Sequence, residues 1–230
     1  FVAPTPFIEE TEAIGLARLV PLRGLKAERL AGGTIDVAGT VAGIELHGTL
    51  FGSLLRHPIS IRPAEAEGMV ELANGQAVTR TGGAEFLARA EAGPLAFTLT
   101  WTGVTATELA PDDSLRRQVP LNPRHALGLV TVWEHERGRI GLETFYTGTQ
   151  RLDDNPYRAE SPDYLIIGVL AEQTIGPFRL FLNLENLTDR RQTRWDPIVR
   201  PSRGADGRWT VDLYAPAEGR VVNGGVRLGL

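Results

Sequence analysis

The chain has 230 residues, a formal net charge of −4 and a sequence pI of about 5.7, so its composition does not indicate a nucleic-acid-binding surface. It contains no cysteine, which excludes disulfide bonds and thiolate metal sites. No run of about 18 apolar residues is present, so no transmembrane helix is predicted. The first residues, "FVAPTPFIEE", have neither a basic n-region nor an apolar h-region, so no signal peptide is predicted in them.

Helical periodicity is confined to one stretch near the amino terminus, "EETEAIGLARLV" at 9–20. Beyond it, long segments carry apolar residues at alternate positions, which is the pattern of a strand with one apolar face. In "GPLAFTLTWTG" (93–103), for example, Leu95, Phe97 and Leu99 alternate with small or hydroxyl-bearing residues. The alternation predicts nine long strands, at 25–38, 42–58, 77–91, 95–109, 122–136, 139–151, 163–175, 178–190 and 219–230.

The connections between these strands alternate between short and long. Short turns are predicted near 40–43, 91–95, 135–139 and 174–178, and long loops at roughly 59–76, 110–121, 152–162 and 191–218. If each strand reverses direction, all short turns lie at one end of the sheet and all long loops at the other. This arrangement is typical of outer-membrane β-barrels and not of Greek-key sandwiches.

We therefore predict an all-β fold, an antiparallel up-and-down meander of about nine long strands that forms the terminal portion of a transmembrane β-barrel. Residues 1–230 are predicted to be a single partial barrel domain. Its parts are an amino-terminal segment at 1–24, the meander with extracellular loops at 25–218 and a closing strand at 219–230. An odd number of strands cannot close an up-and-down barrel, so further strands are expected upstream.

The closing strand, "GRVVNGGVRLGL" (219–230), has apolar or small residues at every second position. We predict that these residues form an assembly signal for insertion into the outer membrane: Val222, Gly224, Val226, Leu228 and Leu230. The strand is expected to pair antiparallel with 178–190. Leu228 and Leu230 should then share a face with Phe178 and Leu180.

Two regular strands predict which face of the sheet meets lipid. The residues expected to point outward are Leu95, Phe97, Leu99, Trp101, Phe178, Leu180, Leu182 and Leu184. Those expected to point into the barrel are Ala96, Thr98, Thr100, Arg179, Asn183 and Glu185. A basic side chain at mid-strand depth on the lipid face costs roughly 2–4 kcal/mol, which is why Arg179 is expected inside.

Three segments resemble the carboxyl-terminal barrel of TonB-dependent receptors: "VPLNPRHALGL" (119–129), "LFLNLENLTDRRQTRWDP" (180–197) and "PAEGRVVNGGVRLGL" (216–230). The family has an N-L-x-D motif before its last extracellular loop and a P-x-x-G-R motif after it. The matching residues are Asn186, Leu187 and Asp189, then Pro216, Gly219 and Arg220. "PFIEETEAIGL" (6–16) also resembles a segment that opens an upstream strand. The chain departs from the family in ending on Leu230 rather than Phe and in an aromatic content of only 7%.

The resemblance implies energy-coupled uptake of a scarce nutrient, such as a ferric siderophore or cobalamin, across the outer membrane of a Gram-negative bacterium. This segment would supply barrel wall, extracellular loops and assembly signal. The implied partners are outer-membrane lipid, the barrel assembly machinery and, only through an N-terminal plug missing from this segment, the TonB complex; nucleic acid is not among them. The alternatives are a small passive porin, an outer-membrane barrel enzyme or, in a third class, a soluble β-sandwich binding module.

No catalytic residue, metal site or cofactor is predicted, and the ligand-binding residues are not assigned. His47 and His57 lie ten residues apart on one predicted strand, about 33 Å along an extended chain, and cannot share a metal. His135 in "WEHER" lies beside a short turn. The acidic residues at 111–113 and 152–156 suit turns better than a calcium site. Ser53 lacks the G-x-S-x-G elbow of a hydrolase.

The last long loop contains "DRRQTRWDPIVRPSRGADGR" (189–208), with six arginines. One interpretation is contact with an anionic ligand or with the phosphates of lipopolysaccharide. The favoured interpretation is a solvated extracellular loop. Trp195 and Trp209 are candidates for anchoring at the membrane interface.

Overall fold

The computed structural model describes residues 18–65, 69–110, 115–204 and 208–228. The described strands are β1 (Arg18–Leu19), β2 (Arg29–Val41), β3 (Ile44–Arg56), β4 (Ile59–Pro63), β5 (Met69–Asn74), β6 (Thr79–Ala92), β7 (Leu95–Leu109), β8 (Arg116–Gln118), β9 (His125–His135), β10 (Gly138–Thr147), β11 (Tyr164–Ile175), β12 (Phe178–Glu185) and β13 (Val221–Leu228). The described part of the chain also has a single 3-10 turn, Gln192–Arg194. None of its helical structure is long and apolar enough to cross a bilayer.

Nine long strands form one antiparallel meander in the order β2-β3-β6-β7-β9-β10-β11-β12-β13. The short strand β8 pairs with β7 outside this path. The predicted all-β meander is confirmed, and each of the nine predicted long strands is present with bounds that differ by a few residues. Within the described residues, β2 and β13 are the two edges of the sheet.

The connections alternate between short and long, as the sequence predicted. Two-residue turns join β2 to β3, β6 to β7, β9 to β10 and β11 to β12. Gly43, Gly93 and Gly176 have positive φ in three of them, a conformation that glycine adopts without steric cost. We call the end of the sheet with these turns the short-turn end, and the opposite end the long-loop end.

The first long connection contains a β-hairpin, β4–β5, that the sequence did not predict. Its Asn74 side chain joins three segments, because it accepts a hydrogen bond from the Lys26 main-chain N–H at 2.7 Å and donates one to the His57 carbonyl at 2.9 Å. β1 adds to β5 in parallel. Of the stretch at 9–20 with helical periodicity, residues 9–17 lie outside the described residues, and Arg18–Leu19 form β1 instead of a helix.

The best-buried apolar cluster lies among the long loops and not against the sheet. Leu152, Tyr214 and Ala215 are buried together, and Tyr164 and Trp195 pack against them. A single-layer sheet has no second layer to bury its apolar side chains. The long loops therefore form a small packed unit of their own at one end of the sheet.

Candidate functional site: a two-faced sheet and packed long loops

The register places most of the large apolar side chains of the nine meander strands on one face of the sheet, while a smaller number, such as Phe51, Val132 and Leu170, lie on the other face. Residues directly opposite each other on paired strands share a face. One row across seven strands consists of Gly39, Leu46, Ala88, Leu99, Leu129, Thr144 and Ile167. We call the face that carries this row the apolar face. The pairing of β11 with β12 and of β12 with β13 brings Leu182 and Gly224 to the same face.

The residues predicted to point outward all lie on the apolar face. One row of directly opposite residues runs from Leu95 on β7 to Leu182 on β12. It passes through Trp133 on β9, Ile140 on β10 and Ala171 on β11, so Leu95 and Leu182 lie on the same face. The residues predicted to point inward, from Ala96 on β7 to Glu185 on β12, lie on the opposite side, which we call the polar face. The predicted division of the sheet into two faces is therefore confirmed by strand register.

The apolar face is exposed along most of its length. Ile35, Val37 and Leu50 retain 67%, 69% and 60% of their accessible surface, and Val226 retains 61%. Monomeric water-soluble proteins rarely expose a continuous apolar patch of this extent. The face is suited to contact with lipid acyl chains.

The polar face carries hydroxyl, carboxylate and guanidinium groups that contact one another. The Thr49 hydroxyl donates a hydrogen bond to Asp36 at 2.6 Å. Farther along the sheet, Arg139 forms an ion pair with Glu172 at 3.0 Å. Such contacts satisfy polar groups within the face, as is expected for a barrel interior and not for a lipid-facing surface.

A shallow cavity of about 190 Å³ lies mainly on the polar face, over β3, β6 and β7. His47, Thr49, Glu85 and Thr102 contribute to its polar lining. His47 Nε2 is 3.6 Å from Asp36 Oδ1. In the described part of the chain, no three His, Asp or Glu side chains are grouped to hold a metal ion.

The other histidines and Ser53 form no recognisable catalytic set in the described structure. His125 and His135 stack on Trp101 and Trp133, with ring centroids 5.9 and 5.7 Å apart. Ser53 lies on β3 opposite Gly32 and Thr81. His47 is six residues from Ser53 along the same strand, about 20 Å in extended chain, which is far beyond hydrogen-bond reach.

The terminal hairpin pairs β12 and β13 as the sequence predicted. Phe178 lies opposite Leu228 and Leu180 opposite Val226, so both leucines and their partners share the apolar face. The other predicted signal residues within the structure, Val222 and Gly224, lie on the same face by the same register. Leu230 lies outside the described residues. The role of these residues in assembly stays a prediction.

The two motifs that flank the last long loop contact each other directly. We call Asn186–Arg190 and Pro216–Arg220 together the clasp. The Asn186 amide donates to the Glu218 carbonyl at 3.2 Å, and the Arg220 side chain donates to the Leu187 carbonyl at 2.9 Å. Asn186 and Asp189 both have positive φ, which these residue types tolerate better than most. The clasp fixes the two ends of the loop to each other.

Asp189 is the charged centre of the clasp. Its carboxylate forms an ion pair with Arg194, lies 3.8 Å from Arg191 Nε and accepts a hydrogen bond from the Arg220 main-chain N–H. Burial alone would raise the pKa of Asp189, but the arginine charges and the main-chain donor outweigh it, so that the pKa lies below its usual value. The ionised carboxylate thus stabilises the clasp.

Gln192 links the clasp to the rest of the loop. The side chain is fully buried. Its amide donates to the Asp212 carbonyl at 3.1 Å, and its carbonyl oxygen accepts from the Tyr214 N–H at 2.9 Å. The Gln192 main-chain N–H donates to Pro216 at 2.9 Å. Gln192 therefore satisfies main-chain groups of residues 212–216, the part of the loop that leads back to the sheet and forms no strand.

Asp196 joins the last loop to the loop between β10 and β11. Its carboxylate accepts from Arg158 at 2.8 Å and from the Tyr214 hydroxyl at 2.6 Å. Burial raises the pKa of Asp196, but these donors lower it further than burial raises it. Burial and the Asp196 carboxylate raise the pKa of Tyr214. The three side chains hold the loops together through a buried, charged hydrogen-bond network.

Most arginines of the last long loop are paired with acids. Arg194 pairs with Asp189, Arg200 Nη1 lies 3.2 Å from Asp154 Oδ2 and Arg208 lies 2.6 Å from Asp212. These pairs make the loop a closed unit and leave little free charge for an anionic ligand.

Further contacts concern two expectations for the loops. In the acidic segment 152–156, Asp153 pairs with Arg117 at 2.7 Å and Asp154 with Arg200 at 3.2 Å, and the preference for turns over a calcium site stays a prediction. Residues 111–113 lie outside the described residues. Trp195 is half-buried and packs against the buried cluster, with its ring 6.3 Å from that of Tyr214, and its role as an interface anchor stays a prediction. Trp209 remains 54% exposed.

Sequence reasoning did not identify the residues that pack the loops. Gln192 and Tyr214 lie in segments without periodicity, Gln150 lies at the end of the predicted strand 139–151, and the partners of all three include residues distant in sequence. The Gln150 amide, for example, donates to the Tyr214 carbonyl at 2.9 Å across 64 positions. The signal that was available is the N-L-x-D and P-x-x-G-R motif pair, which marks the two ends of this unit.

The exposed apolar face, the polar face and the sorted connections define the wall of a membrane β-barrel. No protein-family model and no curated protein matches the sequence. Solved structures do share the fold. The FrpB iron transporter from Neisseria meningitidis has 15% identity and a TM-score of 0.64, with 91% of this chain and 32% of that chain covered.

Two more solved structures give the same result. A ferric enterobactin receptor (PfeA) mutant from Pseudomonas aeruginosa has 16% identity and a TM-score of 0.65, covering 90% of this chain and 32% of that one. The copper transporter OprC has 14% identity and a TM-score of 0.68, covering 97% and 35%. The chain thus spans about a third of these proteins. It has the fold of part of a TonB-dependent receptor barrel, as its motifs predicted.

Proposed function

We propose that this chain is the wall and extracellular loops of an outer-membrane receptor for energy-coupled uptake of a scarce nutrient in a Gram-negative bacterium. The observation that carries the proposal is the register, which separates a continuous exposed apolar face from a hydrogen-bonded polar face. The apolar face meets lipid and the polar face lines the barrel interior. The short-turn end lies in the periplasm, and the packed long loops face the outside.

The proposed nutrient class is supported by the fold neighbours, which include receptors or transporters for iron, ferric enterobactin and copper. A metal or a metal chelate is therefore the first candidate cargo, with cobalamin as a further one. The same neighbours are transporters and not enzymes, and we assign no catalytic role. Lipid, the barrel assembly machinery and, through a plug domain, the TonB complex are the proposed partners.

The test is uptake by cells that carry or lack the gene, with labelled ferric siderophores, copper and cobalamin as probes. Deletion should abolish uptake of one probe, and a protonophore should abolish the same uptake in the parent. Uptake that continues in the presence of protonophore would favour a passive porin. Absence of the protein from purified outer membranes would contradict the proposal altogether.

A further inference from the structure

Four arginines lie together at the long-loop end of the otherwise apolar face. They are Arg29, Arg56, Arg80 and Arg116, and we call them the arginine row. Arg29 on β2 lies directly opposite Arg56 on β3. Arg80 on β6 lies opposite Leu54, two residues before Arg56, so Arg56 and Arg80 are diagonal neighbours about 7 Å apart. Both pairings place these side chains on the apolar face.

Three of the arginines lie at a single depth. Counted from the short-turn ends of their strands, Arg29 is twelve residues from Val41, Arg56 twelve from Ile44 and Arg80 twelve from Ala92. Twelve residues at about 3.3 Å each, tilted by about 45°, rise about 28 Å. The lipid-facing apolar band of such barrels is about 25 Å tall. With the short-turn ends at the periplasmic boundary of this band, the three guanidinium groups lie just outside the acyl chains, at the level of the lipid head groups.

Arg116 brings a fourth charge to the same depth. Its guanidinium donates to the Thr107 hydroxyl at 2.9 Å and to the Val78 carbonyl at 2.7 Å. Thr107 is the register partner of Arg80 and, like it, lies twelve residues from the short-turn end of its strand. The partners of Arg116 among the described residues are thus neutral acceptors and not carboxylates.

The charges of the row are unbalanced. Within the described residues, no carboxylate pairs with any of the four arginines, and all four are exposed. The adjacent Glu28 carboxylate accepts the Ile59 main-chain N–H at 2.6 Å instead. Like charges directly opposite each other destabilise a strand pair. An anion between Arg29 and Arg56 would turn this repulsion into attraction.

In the described strands, such charges on the apolar face occur at one end only. Toward the short-turn end, the arginines of the meander strands lie on the polar face: Arg89, Arg139, Arg179 and Arg227. The apolar face therefore presents basic groups to one leaflet of a bilayer and not to the other. In an outer membrane the outer leaflet is the one that contains lipopolysaccharide.

We propose that the arginine row binds the phosphate groups of lipopolysaccharide in the outer leaflet. The proposal rests on the outer-membrane location proposed above and adds a specific lipid partner. Guanidinium groups bind phosphate through paired, charge-assisted hydrogen bonds. The lipid A phosphates lie where the sugars meet the acyl chains, so the chains would extend down the apolar face over side chains such as Leu54 and Leu50.

The test compares two triple variants of the full polypeptide, purified in detergent from outer membranes. The first is Arg29→Gln, Arg56→Gln and Arg80→Gln. The matched control is Arg89→Gln, Arg179→Gln and Arg227→Gln, which removes the same charge from exposed residues of the polar face. Binding of lipid A with both phosphates, and of lipid A stripped of phosphate, is measured by native mass spectrometry.

The row variant should bind phosphorylated lipid A about a hundredfold more weakly than the parent, since each arginine near an anionic lipid surface contributes about fivefold. The control should bind it like the parent, and neither variant should change binding of phosphate-free lipid A. Equal binding by the row variant and the parent, or an equal loss in the control, would overturn the proposal.

Heat-modifiable migration on gels separates this proposal from the proposed function. If the parent itself is not inserted in the outer membrane, the proposed function fails and the lipid site fails with it. If the parent is inserted but the row variant is not, the single variants Arg29→Gln, Arg56→Gln and Arg80→Gln are compared. Each should lose about fivefold in affinity for phosphorylated lipid A, and no loss in any of them refutes the site.

Discussion

The carboxylate of Asp189 fills the space that a side chain at position 219 would need, so that a Cβ on Gly219 would overlap Asp189 Oδ1. These residues belong to the two separate sequence motifs at the ends of the last long loop. Their contact explains why glycine is required beside Arg220, since the main chain must approach the carboxylate closely enough for Arg220 to donate its N–H. The motifs are thus two halves of one structural unit.

Gly219→Ala should therefore open the clasp. We expect a loss of about 1–3 kcal/mol in the stability of the closed loop, the usual cost of forcing a methyl group into a filled site. The measurement is hydrogen exchange of the 186–220 segment in the outer-membrane protein. The control is Gly33→Ala, since a Cβ there meets nothing within 4 Å. Unchanged exchange in Gly219→Ala would contradict the clasp.

The loops should open in acid because of Asp196. Its pKa lies below the ordinary value of 3.8 through its contacts with Arg158 and Tyr214. A carboxylate with a lowered pKa stabilises the folded state fully above the ordinary value, and the contribution is lost as the pH falls through the lowered one. Hydrogen exchange of 150–164 and 192–215, corrected for intrinsic rates, should stay slow down to about pH 4 and become faster below it.

Tyr214→Phe isolates one hydrogen bond of the same network. Removing the hydroxyl should destabilise the closed loops by about 1.5–3 kcal/mol, the usual contribution of a hydrogen bond to a charged group. Asp196 then loses a donor, so its pKa rises and opening should begin at a higher pH. Tyr157→Phe is a matched control, because its hydroxyl donates to the Val199 carbonyl and not to a carboxylate. Equal opening pH in the parent and Tyr214→Phe would exclude this role.

A charge should be tolerated on one face of β12 and not on the other. Leu182 lies on the apolar face and Asn183, the next residue, on the polar face. Leu182→Arg should cost roughly 2–4 kcal/mol in the membrane and reduce insertion, whereas Asn183→Arg should insert like the parent. The inserted fraction is read from heat-modifiable migration of membrane samples. Similar insertion of both variants would refute the lipid-facing assignment.

The meander was predictable from sequence because its information is local. Alternation at period two in segments such as 95–101 marks a strand and its two faces, and short turns with Gly43, Gly93 or Gly176 set which strands are adjacent. Once neighbours are adjacent and antiparallel, a slip of one residue would move apolar side chains to the polar face, so the pattern also specifies register.

The loop unit was not predictable because its information is distributed. Trp195 was predicted only as a candidate interface anchor, and its packing between Tyr164 and Tyr214, residues that are 31 and 19 positions away, was not foreseen. Nothing in the local sequence distinguishes a buried Gln192 from a solvated one. The β4–β5 hairpin was missed for a related reason, since it is short and enclosed in a connection that was interpreted as a loop.

The arginine row illustrates a third case, in which the residues were visible but their relationship was not. Arg29, Arg56 and Arg80 are scattered over fifty positions, and only the register brings them to one depth on one face. The segment at 189–208 is noticeable in the sequence because its arginines are close together along the chain. In the structure most of these arginines are paired with acids, so their closeness in sequence did not indicate unpaired charge.

Removal of residues 226–230 should abolish insertion into the outer membrane while leaving synthesis intact. Within the described part, the deletion removes the pairing of Val226 with Leu180 and of Leu228 with Phe178, and it leaves backbone groups at this end of β12 without partners. Unpaired backbone groups in lipid cost several kcal/mol each, so the shortened hairpin should not be stable in a bilayer. Leu230→Asp should also impair insertion if the closing strand is the assembly signal.

Arg227→Gln is the matched control for this deletion, because its side chain lies on the polar face of the same strand, over the ring of Phe181. It should insert like the parent, since β13 keeps its full length and its apolar side chains. Total protein is followed by immunoblot and insertion by heat-modifiable migration of the membrane fraction. Normal insertion of the protein that lacks 226–230 would show that the apolar residues at the end of β13 carry no assembly signal.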